Sequence, residues 1–69
     1  MTVDEIKNEV AKLNGSQRSS LRNAIGTAAI QFLKVSQRGP YTEVTAKMYE
    51  MNHVLMIGPR GKVMTRSVF

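Results

Sequence analysis

Apolar side chains recur at three- and four-residue spacings through the first half of the chain, then alternate or cluster in the second half. Val3, Ile6, Val10 and Leu13 fall on one helical face and predict a short amphipathic helix over residues 3–13. Thr2 and Glu5 form a capping box at its start, and Asp4 and Glu5 suit the positive end of its dipole. Asn14 and Gly15 tolerate the left-handed conformation and are expected to stop it. Ser16 then caps a longer helix over 17–35, whose stripe is Leu21, Ala24, Ile25, Ala28, Ala29, Phe32 and Leu33. Its opposite face carries Arg18, Ser19, Arg22, Asn23, Thr27, Gln31 and Lys34. Gly26, among alanines, reads as the site of a close helix crossing despite its poor helix propensity.

Residues 36–40, ending in Gly39 and Pro40, break the chain. The stretch 41–52 fits two periods. Val44, Met48, Met51 and Leu55 make a helical stripe, and Glu43, Ala46 and Lys47 favour helix. Val44, Ala46 and Met48 also alternate with Thr45, Lys47 and Tyr49, as in a half-buried strand. The helical reading is preferred. Residues 53–57 and 63–69 then form a β-hairpin around a glycine-rich turn at 58–62. The expected fold is α+β, with two or three N-terminal helices followed by a C-terminal antiparallel hairpin. Its alternative is two helices with a three-stranded meander. No repeat or linker interrupts residues 1–69, which read as a single small domain.

Charge adds a direction to this frame. The chain carries ten Lys and Arg against five Asp and Glu, a formal net charge of +5. Asp4, Glu5 and Glu9 lie in the first nine residues, so residues 10–69 hold nine cations against Glu43 and Glu50. Such an excess favours a polyanion or an acidic protein surface as partner. The absence of cysteine excludes disulfides and Cys-ligated metal sites, and a single histidine offers little to other metals. No cofactor is implied. No stretch reaches the ~20 apolar residues of a membrane span, no signal peptide is expected, and a cytoplasmic location follows.

Catalysis finds few candidates. Nucleophilic chemistry needs a nucleophile beside an oriented base. The only imidazole is His53, and the only aspartate, Asp4, belongs to a helix start. Glu43 and Glu50 on either side of Lys47 read as a solvated, ion-paired surface. A small nuclease built on His53, with Arg60, Lys62 or Arg66 at phosphate, is the remotest option, and a non-enzyme is expected. Gly58, Gly61 and Lys62 lack the spacing and following Ser or Thr of a nucleotide loop. A hairpin tip bearing Arg60 and Lys62 nevertheless suits a nucleic-acid backbone.

Val44, Met48 and Met51 as the buried side of a third helix, the apolar strand 54–57, the basic tip 58–62 and the returning strand 63–69 resemble a minimal winged helix-turn-helix domain. The resemblance implies a third helix in the DNA major groove and a wing on the backbone or minor groove. By position it places Thr42, Thr45, Lys47, Tyr49 and Asn52 against bases or phosphates, with Arg60 and Lys62 at the wing. Arg18, Arg22, Arg38 and Arg66 complete the expected nucleic-acid-binding set. The chain departs from the family in its anionic third helix, its more basic second helix, and the lack of room for a strand between the first two helices.

The leading expectation is therefore a small, non-catalytic, duplex-DNA-binding regulator of transcription or the nucleoid. The alternative is a protein-interaction module or inhibitor, of the kind phages encode, docking on an acidic surface of a larger enzyme such as a polymerase or nuclease. Four aromatics are too scattered for a stacking platform, and the second helix lacks the bulky residues of a membrane-surface helix. Met48, Met51, Met56 and Met64 read as core filling, or as an adaptable surface for a protein partner. The small core and the C-terminal strand ending in Phe69 leave a homodimer open.

Overall fold

The computed structural model of the chain describes residues 1–26 and 29–69. Two helices, α1 (Val3–Val10) and α2 (Gly15–Ile25), precede four strands, β1 (Ile30–Arg38), β2 (Tyr41–Met48), β3 (Met51–Ile57) and β4 (Val63–Val68). The strands form one antiparallel sheet in the order β1-β2-β3-β4, so each pairs with its neighbour along the chain. Both helices pack on the same face, and among the described residues no helix covers the other. Leu13 and Leu21 meet Leu33, Val35, Val44, Ala46, Met48, Leu55 and Ile57 between the layers.

This architecture overturns the expected three helices and a hairpin. The predicted helix over 17–35 stops at Ile25, because Gly26 adopts φ 60° and ends it. Gly26 is thus a helix terminator rather than a crossing point, and β1 takes the residues assigned to the second half of that helix. Within β1, Leu33 and Val35 face the core while Phe32 and Lys34 face away, so period two replaces the stripe. Thr27 and Ala28, also assigned to that helix, lie outside the described residues.

The preferred third helix over 41–52 is β2, the β2–β3 turn and the start of β3. Thr42, Val44, Ala46 and Met48 are buried and their alternates half-buried, the signature of a strand covered on one side. Pairing with β1 and β3 on both flanks overrides the modest helix propensity of Glu43, Ala46 and Lys47. The winged arrangement, which needs that helix, is not adopted. The alternative meander is nearer, short of one strand.

The first helix starts and is capped as its sequence predicts, and the second starts two residues early on a different cap. Thr2 and Glu5 form the predicted capping box of α1. The second cap is Asn14, not Ser16: its side chain accepts from the Gln17 amide while Gln17 returns the bond to the Asn14 amide. Asn14 and Gly15 thus begin α2 instead of terminating α1.

The two sheet edges differ. Along β1, the Val35 amide donates to Glu9 Oε1 at 3.0 Å, the Leu33 amide points at Met1 Sδ, and the Met1 amine reaches the Gln31 carbonyl. The N-terminal segment and α1 therefore seal that edge. β4 is exposed at all six residues, and among the described residues nothing bonds to its outer side.

Candidate nucleic-acid interface

The β3–β4 turn owes its position to α2. Gly58 donates to the Lys62 carbonyl at 2.8 Å, Gly61 donates to the Gly58 carbonyl at 2.9 Å, and Gly61 takes φ 87°. Four side-chain bonds then tie this turn to the first turns of α2. Asn14 Nδ2 donates to the Pro59 carbonyl at 2.8 Å. Gln17 Nε2 donates to the Gly58 carbonyl at 3.2 Å and reaches the Ile57 carbonyl at 3.5 Å. The Ser20 hydroxyl donates to the Gly61 carbonyl. A Cβ on Gly61 would stand 2.7 Å from the Ser16 carbonyl oxygen, so only glycine allows the approach.

This docking fixes Arg60 and Lys62 beside α2, which presents Arg18 and Arg22. Arg66 completes the set from β4, donating to the Ala24 carbonyl at 3.1 Å and lying 3.3 Å from His53 Nδ1. The bond to Ala24 satisfies a carbonyl near the negative end of α2. Arg18 donates to the Leu13 carbonyl at 2.7 Å, closing the turn between the helices. Five of the ten expected residues thus border α2, with Arg66 on its β4 flank and Arg18 and Arg22 on the other, beside Val10 and Ile30.

The other five are elsewhere. Arg38, Thr45, Lys47 and Asn52 lie on the open face of the sheet, and Tyr49 is in the β2–β3 turn. Arg38 pairs with Glu43 at 3.6 Å, and Lys47 with Glu50 at 3.5 Å. Thr42, expected to face DNA, is buried beneath α2.

Charge is divided by segment. Residues 14–26 and 58–69 contain Arg18, Arg22, Arg60, Lys62 and Arg66 and no Asp or Glu. Four of the five acids are occupied elsewhere in the molecule. Glu5 caps α1 and Glu9 binds Lys12. Glu43 and Glu50 neutralise open-face cations. Hydrogen bonds hold three of these carboxyls low, Glu5 through Thr2, Glu9 through Lys12 and then Val35, and Glu50 through Gln31 with help from Lys47. Among the described residues no carboxylate comes within 4.0 Å of any of the five cations.

Ser16, Ser19, Ser20 and Asn23 supply hydroxyls and an amide on the same helix, and none of them belonged to the expected nucleic-acid-binding set. The signal in the sequence is the absence of any acid between Glu9 and Glu43.

The open face offers less to a polyanion. Phe32 and Phe69 end a row that runs through Lys47 and Asn52. They stand on opposite outer strands, three strand spacings or roughly 14 Å apart, too far to stack on adjacent bases. Among the described residues, no three His, Asp or Glu side chains gather as a metal would require, and no helix is long and apolar enough to cross a membrane. Comparison with protein-family models, curated proteins and solved structures gives no match, so the candidate interface rests on this chain's own residues.

Proposed function

We propose that the chain is a small non-catalytic nucleic-acid-binding protein that holds the phosphate backbone of duplex DNA against α2 and the β3–β4 turn. The supporting observation is charge segregation: five cations and no Asp or Glu in residues 14–26 and 58–69, the segments that form and border α2. Arg22, Arg60 and Lys62 are the primary phosphate contacts, since Arg18 and Arg66 also serve the packing of α2. Serine hydroxyls and the Asn23 amide suit phosphate oxygens without reading base identity. In the cell this contact serves a transcriptional or nucleoid regulator acting in the cytoplasm.

Titration of a fluorescent DNA duplex at several salt concentrations tests the reading. Each lost phosphate contact lowers the slope of log affinity against log salt by about 0.9. Arg60→Ala with Lys62→Ala is expected to remove about two such units, and Arg22→Ala about one. Lys47→Ala, on the opposite face, is expected to leave the slope unchanged. Absence of binding at low salt, or equal loss from the Lys47 variant, overturns the proposal.

A further inference from the structure

The free edge of β4 and the cleft beside it point to a second kind of ligand. Asn52 and Phe69 exchange both backbone hydrogen bonds, at 2.7 and 2.9 Å. Alternation along an antiparallel ladder then turns the amides and carbonyls of Arg66 and Val68 away from β3, toward open space. The opposite edge of the sheet is occupied by α1, so β4 is the edge that another strand can join.

Between α2 and β4 lies a cleft of about 390 Å³ lined by Ser20, Asn23, Ala24, Val63 and Arg66. A strand added outside β4 directs every second side chain to the helix-bearing side, into this cleft. What it meets there is one guanidinium, one carboxamide, one hydroxyl and no acid. Its alternate side chains lie beside Thr65, Ser67 and Phe69, the last 70% exposed. Main-chain pairing supplies affinity in such an arrangement, and the pocket for alternate side chains supplies selectivity.

We propose that β4 accepts an extended acidic segment of a partner protein as a fifth strand, with a carboxylate entering the α2–β4 cleft to meet Arg66 and Asn23. Charge complementarity selects this occupant over a second copy of the chain, which would bring a second Arg66 against the same edge. The inference does not depend on the nucleic-acid reading, because its determinants are the outward amides of Arg66 and Val68.

The probe is an eight-residue peptide of alternating Val and Glu, blocked at both ends, with the Val/Lys counterpart as control. The Val/Glu peptide is expected to bind the intact chain and to slow amide exchange at Arg66 and Val68, whereas the Val/Lys peptide is not. Val68→Pro removes a donor that the native sheet does not use, as edge positions tolerate. It is expected to weaken peptide binding at least tenfold while leaving affinity for duplex DNA unchanged. Arg66→Gln, which keeps a hydrogen-bonding head without charge, is expected to weaken the peptide by a similar factor. Absence of Val/Glu binding overturns the proposal. So does binding that leaves both amides unprotected, or sedimentation showing that a second copy already closes the edge. Should Val68→Pro fail to fold, amide protection in the unmodified chain decides the matter. Loss of DNA binding throughout, with peptide binding intact, counts against the nucleic-acid proposal alone.

Discussion

A 3.1 Å hydrogen bond from the Gln17 side-chain amide to the Thr42 hydroxyl joins α2 to β2 inside the core. Thr42 passes the chain on to Gln37 Oε1 at 3.1 Å, while Gln17 Oε1 accepts from the Asn14 amide. One buried carboxamide therefore caps its own helix, holds the central sheet and grips the β3–β4 turn. Gln17→Met keeps the volume and removes every bond. Leaving buried partners unsatisfied costs about 1–3 kcal/mol, and thermal unfolding should move down by at least ~4 °C per kcal/mol. Amide exchange at Gly61 and Lys62 should also accelerate, a change that simple core loosening would spread across the sheet.

Gly61 makes a second demand on the same junction. Its φ of 87° and the 2.7 Å approach to the Ser16 carbonyl oxygen both exclude a side chain. Gly61→Ala should destabilise the fold by about 1–3 kcal/mol through backbone strain. Because it displaces Arg60 and Lys62 from α2, it should also weaken duplex-DNA affinity under conditions where the protein remains folded. A denaturation curve and one titration measure both.

Acid should act first on α1. Glu9 carries a depressed pKa, chiefly through Lys12 and then through the Val35 amide. A carboxyl depressed in the folded state contributes stability above its unfolded pKa and loses it as pH falls through the folded one. Stability is therefore expected to decline below about pH 4, with Glu5 and Glu50 adding in the same direction. Glu9→Gln retains an acceptor for Val35 but loses the charge, so its stability at neutral pH should be lower and its acid profile flatter. Urea midpoints measured between pH 3 and 7 decide this.

Tyr49 and Glu50 occupy the β2–β3 turn with φ 52° and 62°. Two consecutive positive φ values match the hairpin turn that favours Asn-Gly, and a bulky residue fits there poorly. Gln31 offsets part of the strain, donating to Glu50 Oε1 at 2.8 Å and accepting from the Glu50 amide at 3.3 Å. Tyr49 is 74% exposed, so its ring contributes little to the core. Tyr49→Asn should raise stability by up to about 1 kcal/mol, read as a higher denaturant midpoint with unchanged slope.

The sequence carried the ends of the molecule better than its middle. The Thr2–Glu5 box and the hairpin around 58–62 depend on residues close in the chain, so local chemistry revealed them. β1 and β2 depend on each other. Phe32 and Leu33 continue a helical stripe as well as they begin an alternation, and Gly26 alone marks where the helix must end. In β2 the pattern of Thr42, Val44, Ala46 and Met48 was present, but Glu43 and Lys47 disguised it as helix. The cations at Arg18, Arg22, Arg60, Lys62 and Arg66 were legible one by one. Their gathering around α2 was not, because it depends on Gln17 and Ser20 docking a turn some forty residues away.

The nearest-neighbour order of the sheet also shapes how the chain reaches this structure. β1 meets β2, β2 meets β3 and β3 meets β4, so the whole sheet can assemble from three successive hairpins. Short loops close at little entropic cost, and folds rich in such local pairings form quickly. α2 cannot follow that route. Its Gln17 side chain requires β2 and the β3–β4 turn to be in place together, partners 25 and 41 residues distant. Docking of α2 onto a formed meander is therefore the expected slow step of folding, and it brings the cations around α2 together last.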